Sequence, residues 1–198
     1  MPSQRAGTET EVRSRRDQIL DETLRIVGER GYHGFGIQEL ADRCGLTKPG
    51  LLHHFGTKER LLLELLRQRD AKDQAELSEL YLPAYDATTD PVEQRRMLRE
   101  GMRGVVERAL SKPELIRLDV VLRAEAVNPE HPAYDYFILR EREKRRRIAS
   151  RASWSDDPVA LARQILGLMN GLQEQWLREG RQFDLLAEWE KGLARLIP

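Results

Sequence analysis

A short segment near residue 50 presents side chains that suit contact with phosphate oxygens or with the edges of nucleic-acid bases. Lys48, Gly50, His53 and His54 fall on the side of this segment that the neighbouring apolar residues leave free. Lysine and histidine side chains donate hydrogen bonds to phosphates, and glycine permits close approach of a backbone. We expect His54 to contact a phosphate and His53 to contact a phosphate or a base edge. An ordinary pair of exposed histidines is the alternative interpretation.

The residue types needed for metal binding or catalysis do not form a recognisable pattern. None of the four histidines is followed by a second histidine four residues later, as a helical zinc motif requires. The chain contains no Gly-x-Ser-x-Gly motif and no glycine-rich loop that ends in Lys-Ser or Lys-Thr. The single cysteine, Cys44, is expected to be a small buried hydrophobic residue. The sequence therefore predicts no metal site, no cofactor and no enzymatic activity.

Two short helices are expected to position the basic segment. Apolar residues from Ile37 to Cys44 recur with the spacing of one buried helical face, and Gly45 follows as a helix stop. Thr47 is a good N-cap for a second helix, and Pro49 suits the first turn of that helix. Two short helices joined by a glycine turn form a helix-turn-helix, whose second helix usually enters the major groove of DNA.

The segment resembles the signature of the TetR family of transcriptional regulators. The resemblance rests on an ordered, gap-free series of motifs: Gly45-Leu46-Thr47-Lys48, Leu51-Leu52-His53-His54-Phe55 and Thr57-Lys58-Glu59-Arg60-Leu61. Two positions depart from the family pattern. Leu52 stands where the family often has a tyrosine that reaches a phosphate, and Phe35-Gly36 stands where a serine or threonine is usual. These departures concern individual DNA contacts and not the fold.

The resemblance implies specific roles at the DNA interface. Thr47, Lys48 and His54 would bind phosphates, with Lys58 at the start of the next helix. Base edges would be reached from Pro49, Gly50 and His53, and Gln38 would add a contact from the preceding helix.

The charge of the chain is balanced. The formal net charge is zero, and residues 1–58 hold 9 Lys and Arg against 8 Asp and Glu, which gives +1. DNA affinity must therefore come from local placement of charge. The cluster Arg13, Arg15 and Arg16, together with Lys48 and Lys58, could neutralise phosphates. A solvated helix start is the alternative interpretation of the three arginines.

The composition indicates a soluble and almost entirely helical protein of 198 residues. Apolar runs never approach the ~18 residues of a transmembrane helix, and the polar stretch at residues 1–10 is no secretory signal. A single cysteine excludes a disulfide within the chain. We therefore expect a cytoplasmic protein without a membrane partner.

Periodicity and capping residues predict an all-α fold, with an N-terminal three-helix helix-turn-helix domain and a C-terminal helical bundle. We expect a disordered arm at residues 1–12, a DNA-binding domain at 13–58 and a ligand-binding and dimerisation domain at 59–198. The expected helices after the first motif run over about 58–80, 92–110, 113–127, 132–152, 158–179 and 185–197, with a loop at 83–91.

The last two predicted helices are apolar over a wide arc, which indicates that they are covered on two sides. The family resemblance implies that their copies pair in a homodimer. A core formed wholly within one chain is the alternative. The residues expected at the dimer interface are Ile165, Leu166, Met169, Leu172, Trp176, Leu186, Trp189 and Leu193.

The C-terminal bundle is expected to hold an unidentified small-molecule effector. Arginines on the otherwise apolar segment 113–127 would need partners if buried, and a polar ligand is one such partner. The candidate pocket residues are Met97, Met102, Arg117, Arg123, Tyr134, Phe137 and Trp176.

A separate run at 140–147 holds six basic and two acidic residues. Because Glu141 and Glu143 precede Arg145 and Arg147 by four residues, we interpret this run as a solvated helix face.

The leading hypothesis is a ligand-responsive regulator, expected to act as a repressor, that binds a near-palindromic operator on double-stranded DNA as a homodimer and is released by its effector. The resemblance implies that the effector moves the helix after the DNA-binding domain. A helical module that binds a protein partner and an all-helical enzyme are the alternatives.

Overall fold

The computed structural model describes residues 14–85 and 88–198, with the backbone alone for residues 73–85. Within these ranges the chain forms nine helices and no strands, which confirms the predicted fold class. The helices are α1 (Arg15–Arg30), α2 (Ile37–Arg43), α3 (Lys48–Phe55), α4 (Lys58–Tyr85), α5 (Pro91–Leu110), α6 (Pro113–Glu125), α7 (Tyr134–Ala149), α8 (Pro158–Arg178) and α9 (Leu185–Leu196).

The N-terminal helices pack around a core that extends beyond them. Ile19 and Ile26 of α1, Leu40 of α2 and Leu51 of α3 are fully buried in it. Further members come from α4, α6 and α7, so this core crosses residue 58, where the sequence predicts a domain boundary. Helix α1 packs against α6, where a Cβ at Gly28 would lie 3.7 Å from the backbone nitrogen of Leu118. Helices α1 to α3 are therefore anchored on the C-terminal helices.

A second core lies among α5, α6, α8 and α9. Its largest fully buried side chain is Trp189, and Ile165 is likewise fully buried. The helices pack closely, because a Cβ at Gly192 of α9 would lie 2.7 Å from a methyl group of Leu168. This core supports one side of an internal cavity described below.

Helix ends agree with the sequence prediction to within a few residues, with one larger difference. The helix predicted to end near residue 80 continues to Tyr85, so the predicted loop at 83–91 begins later. A proline in the last turn removes one hydrogen bond from a helix of 28 residues and does not end it. The predicted arm at residues 1–12 lies outside the described residues.

Two further searches covered the described residues. None of the helices there combines the length and the apolar character that crossing a membrane requires. In the same part of the chain, no group of three or more His, Cys, Asp and Glu side chains is placed to hold a metal ion.

Candidate nucleic-acid interface and internal cavity

Helix α3 is held by its buried side and presents its other side to solvent. Leu51 is fully buried and Phe55 is 5% exposed, so both anchor the helix in the N-terminal core. The hydroxyl of Thr47 accepts a hydrogen bond from the backbone N–H of Gly50 at 3.2 Å and caps the first turn. The exposed side thus has a fixed orientation relative to the domain.

The turn before α3 depends on a glycine in the left-handed region. Gly45 has φ +63°, which side chains rarely adopt. The backbone N–H of Leu46 donates to the carbonyl of Ala41 at 2.8 Å, which closes the turn. Beside it, the Arg15 guanidinium donates to the Cys44 carbonyl at 2.6 Å, and burial raises the pKa of the Cys44 thiol. A raised pKa fits the predicted packing role of this cysteine and does not suit a reactive thiolate.

Most of the predicted DNA-binding residues lie on the surface of α2, α3 and their turn. The exposed positions are Gln38, Thr47, Lys48, Pro49 and His53, and the half-buried ones are Gly50 and His54. Their contact with DNA stays a prediction. The side-chain amide of Gln38 donates to Asp42 at 2.8 Å, so this contact must be exchanged before Gln38 can reach a base.

Lys58 makes contacts within the domain that the sequence analysis did not predict. Its ammonium nitrogen lies 4.4 Å from the ring centres of both Tyr32 and Phe35, where cation–π attraction holds it inside the domain. Burial lowers its pKa, with Glu59 and Glu125 acting in the opposite direction. The side chain therefore joins the start of α4 to the loop after α1, and its predicted contact with a phosphate stays a prediction.

The arginine cluster before the first helix also has an internal role. Arg16 donates to the Glu64 carboxylate and, at 2.8 Å, to the carbonyl of His54, and its guanidinium lies 4.6 Å from the ring centre of Phe55. These contacts tie α1 to α3 and α4. Arg13 lies outside the described residues. Of the three arginines, the two that are described thus orient α3 and do not extend freely toward a ligand.

The helices α4 to α8 line a cavity of about 730 Å³ that is partly open to solvent. One part of its wall is apolar and is formed by Met97, Leu98, Met102, Ile116, Leu166 and Met169. The other part is charged and is formed by Arg69, Asp70, Asp119, Arg140 and Lys144, with Tyr136, Asn170 and Gln173. A volume of this size is typical of small-molecule sites in proteins.

A buried carboxylate organises the charged part of the cavity. Asp119 of α6, 9% exposed, accepts hydrogen bonds from Arg69 of α4 at 2.9 Å, from Arg140 of α7 at 2.5 Å and from Arg123 at 3.4 Å. Burial raises the pKa of Asp119, but Arg140 and Arg69 outweigh it and hold the pKa well below its ordinary value. Asp70, which accepts from Arg140 at 3.0 Å and from the Tyr136 hydroxyl, completes the network.

Two of the seven predicted pocket residues line the cavity, namely Met97 and Met102. Arg123 lies behind the wall, where it bonds Asp119 and Asn170. The other four positions are corrected: Arg117 is exposed, Tyr134 is half-buried outside the wall, Phe137 packs in the N-terminal core, and Trp176 packs in the second core. Apolar residues of a bundle helix serve packing and a cavity equally well, so residue type alone does not distinguish them. Whether any of the seven contacts an effector stays a prediction.

Sequence reasoning missed the basic residues of α7. Arg140, Lys144 and Arg147 line the cavity, although we interpreted their segment as a solvated face. The predicted pair of Glu143 and Arg147 does form, at 2.6 Å, at the cavity rim. The sequence did contain an indication of this arrangement. Tyr136, Arg140 and Lys144 are four residues apart, and residues with this spacing share one helix face.

The predicted dimer residues are mostly covered within one chain. Ile165, Trp176, Trp189 and Leu193 are buried in the second core, and Leu166 and Met169 line the cavity. Of the eight, this leaves only Leu172 and Leu186 half-buried and outside the cavity wall. Intrachain neighbours thus cover six of the eight residues, and whether any of the eight contacts a second copy of the chain stays a prediction.

A hydrogen-bonded contact joins the N-terminal domain to the end of α6. The Glu125 carboxylate accepts from the backbone N–H of Tyr32 at 2.8 Å, and the Tyr32 hydroxyl donates to Glu59 at 2.8 Å. Gly31, with φ +74°, is required here because a Cβ would lie 2.1 Å from a Glu125 oxygen. The buried imidazole of His131 lies 3.6 Å from the same carboxylate. These contacts link the end of α6 to the loop that precedes α2.

These features define a class: a helix-turn-helix domain anchored on an all-helical domain that contains a cavity. Residues 19–65 match the model described as bacterial regulatory proteins, tetR family. This segment matches the N-terminal domain of the TetR family of transcriptional regulators, as its motifs predicted.

The relatives agree with this assignment in the DNA-binding region. The transcriptional activator FasR of Mycolicibacterium smegmatis is 43% identical over 54 residues, which cover 27% of this chain and 25% of FasR. The repressor AcnR of Corynebacterium diphtheriae is 38% identical over 68 residues, which cover 34% of this chain and 35% of AcnR. These matches thus span only about a quarter to a third of the curated relatives. Both are regulators and not enzymes, in agreement with the predicted absence of catalysis.

The fold extends over the whole chain in solved structures. The structure of AibR in complex with isovaleryl coenzyme A and operator DNA has a TM-score of 0.66 and 24% identity, and the match covers 93% of this chain and 99% of AibR. This likeness shows that the C-terminal domain shares the family fold.

Proposed function

We propose that the protein is a ligand-responsive transcriptional regulator that acts in the cytoplasm and binds DNA through α2 and α3 as a homodimer. The observation that carries the proposal is the exposed side of α3, whose orientation is fixed by Leu51, Phe55 and the Thr47 cap. Lys48 and His53 are exposed on this side, so they can contact phosphates and base edges without rearrangement of the core.

Lys48 offers the most direct test of the interface. Replacement of Lys48 by alanine is expected to weaken DNA binding similarly for all sequences, because a phosphate contact carries no sequence information. Each lost phosphate contact reduces the steepness of the plot of log affinity against log salt concentration by about one. A dimer loses two such contacts, so its slope should become shallower by about two. Fluorescence anisotropy of labelled DNA across a salt series measures both quantities.

Lys72→Ala is the matched control, since Lys72 is exposed and lies fourteen residues into α4, roughly 21 Å from its start. An unchanged salt slope for Lys48→Ala would contradict the interface. DNA binding that is weak for every sequence in the unmodified protein would favour a helical module for a protein partner instead.

The dimer is proposed to form on the outer face of α8 and the adjoining part of α9. Gly167 and Gly171 are four residues apart on α8, and a Cβ at either would meet no described atom within 4 Å. Small residues with this spacing let two helices approach closely. Half-buried leucines flank them on α8 and α9, namely Leu168, Leu172, Leu186 and Leu196. A two-fold dimer implies a near-palindromic operator with half-sites about 34 Å apart or slightly more.

The cavity is proposed to hold the effector and to act through α4 and α6. Arg69 and Asp70 of the cavity wall belong to α4, whose first residue lies three positions after α3 ends. Asp119 belongs to α6, whose last residue, Glu125, binds the N-terminal domain. We expect α4 and α6 to adopt two alternative positions, which differ in the spacing between the α3 helices of the two subunits. A ligand that binds one position more tightly shifts that spacing, whereas a ligand with equal affinity for both positions does not change it.

Repression released by the effector is the proposed direction of control. Binding at an operator blocks transcription in this proposal, and the ligand lowers DNA affinity. The relatives include both an activator and a repressor, so similarity alone does not determine whether the protein represses or activates transcription.

A further inference from the structure

We propose that the cavity binds an anionic amphiphile, with a carboxylate or phosphate head at the Arg69–Arg140–Lys144 end and an aliphatic chain along the apolar wall. The statement that this ligand is the effector rests on the proposed function. The binding itself depends on the cavity alone.

The charged end of the cavity carries an excess of positive charge. Four cationic groups, of Arg69, Arg123, Arg140 and Lys144, face two carboxylates, of Asp70 and Asp119. The cluster therefore holds a net charge of about +2 away from bulk water, and buried charge is costly unless it is paired. A ligand that brings one or two negative charges would balance the cluster.

Arg69 supplies unused hydrogen-bond donors. The residue is only 8% exposed, and its Nη2 atom bonds Asp119 at 2.9 Å. Its Nε and Nη1 atoms are buried and donate to no acceptor among the described residues. Either donor could form a charge-assisted hydrogen bond with one oxygen of a carboxylate or phosphate. Nearby, Asn170 and Gln173 add polar groups to the wall.

Lys144 is the second free cation. Among the described residues, its ammonium forms no hydrogen bond or ion pair, although it lines the cavity. Burial and the neighbouring Arg140 lower its pKa to about 8, with Asp119 acting in the opposite direction. An ammonium that is destabilised by burial gains from a bound anion, because the anion supplies a counter-charge.

The remainder of the cavity suits an aliphatic chain. Its wall there consists of Met97, Leu98, Met102, Ile116 and Met169, and methionine side chains adapt readily to ligands of different shape. At about 30 Å³ for each water-sized group, 730 Å³ accommodates roughly two dozen such groups. A ten-carbon chain with an anionic head therefore fits, and an acyl chain on a larger phosphate carrier would need to extend out of the cavity.

The test is isothermal titration of the full-length protein, without DNA, with four ten-carbon probes: decanoate, decyl phosphate, decanol and decyltrimethylammonium. We expect either anion to bind at least about tenfold more tightly than decanol, since a charge-assisted hydrogen bond is worth at least that factor. The cation should bind more weakly than decanol. A preference for decanoate identifies a free carboxylate as the head, and a preference for decyl phosphate identifies a phosphate. Equal or tighter binding of decanol would overturn the proposal.

Lys144→Met is the decisive variant, because it removes a cation that bonds no described residue. Decanoate affinity should fall about tenfold while decanol affinity stays unchanged. The control is Arg146→Met, which removes an exposed cation of α7 paired with Glu143 and should alter neither affinity. The melting temperature of each variant reports whether it is folded. A loss of both affinities in folded Lys144→Met protein, or of neither, would contradict the assigned head-group site.

The pH dependence gives a second readout. The charged groups that surround Lys144 are Arg69 and Asp70 of α4, Asp119 of α6 and Arg140 of α7. Decanoate affinity should therefore decrease from pH 7 to pH 9 as the Lys144 ammonium loses its proton, and this decrease should be absent in Lys144→Met. An identical pH profile for both proteins would contradict the role of Lys144.

The outcomes separate this inference from the proposed function. If decanoate binds but no DNA is bound, the cavity site stands and the regulator proposal fails. If operator DNA is bound but decanoate and decyl phosphate bind no better than decanol, the regulator proposal stands and the anionic ligand class fails.

Discussion

Replacement of Asp119 by alanine is expected to lower the free energy of unfolding by about 3–5 kcal/mol, because it leaves buried cations without their shared counter-charge. Asp119 bonds Arg69, Arg140 and Arg123 at once, and Arg69 is itself 92% buried. After its removal, Asp70 remains as the described carboxylate beside Arg69 and Arg140, and Arg123 keeps its hydrogen bond to Asn170. The loss should appear in urea unfolding and as a drop in melting temperature of roughly 10 °C.

The control for this prediction is Asp156→Ala, which removes an exposed carboxylate before α8 and should change stability by less than about 0.5 kcal/mol. Adding Lys144→Met to Asp119→Ala should recover part of the loss, since one cation fewer then remains near the site. Equal stability of the Asp119→Ala and Asp156→Ala proteins would show that the buried network is not formed as described.

Replacement of Gly171 by arginine is expected to produce a stable monomer that binds the operator at least about a hundredfold more weakly. A side chain at this position has free space within one chain, and replacing a helical glycine adds up to about 1 kcal/mol of helix propensity. In the proposed dimer the same arginine would separate two closely packed helices. Loss of one of two linked half-site contacts removes the multivalent gain, which is commonly 10²–10⁴-fold.

Sedimentation equilibrium measures the oligomeric state, thermal unfolding measures the stability, and anisotropy measures DNA affinity. Val92→Arg is the matched control, because Val92 is 69% exposed on α5 and the added charge is the same. It should remain a dimer with unchanged DNA affinity. A dimeric Gly171→Arg protein would place the interface elsewhere, and an unfolded one would contradict the free space around this glycine.

The helix-turn-helix could be predicted from sequence because its determinants are local. The Thr47 cap, the left-handed Gly45 and the buried pair Leu51 and Phe55 lie within eleven residues, and each acts as its residue type and spacing indicate. The contacts of Lys58 were not predicted because its partners, Tyr32 and Phe35, are more than twenty residues away. Periodicity does not show which distant ring receives a cation.

The C-terminal domain was less predictable for a related reason. An apolar stripe on α8 indicates burial but not whether the covering surface belongs to the same chain, and Ile165 and Trp176 proved to be covered within it. Likewise, a basic run can face solvent or a cavity. Glu143 does pair with Arg147 as predicted, while Arg140 and Lys144, on the same helix, turn into the cavity.

The central claim is that two copies of this chain bind one specific DNA site through α3. Its most direct test is fluorescence anisotropy with DNA from just upstream of the protein's own coding region, across a salt series and with competitor DNA. We expect tight, competitor-resistant binding that saturates at two chains for each site. Binding that is equally weak for all sequences, and that is abolished by modest salt both at this DNA and at sites selected from random sequence, would contradict the claim.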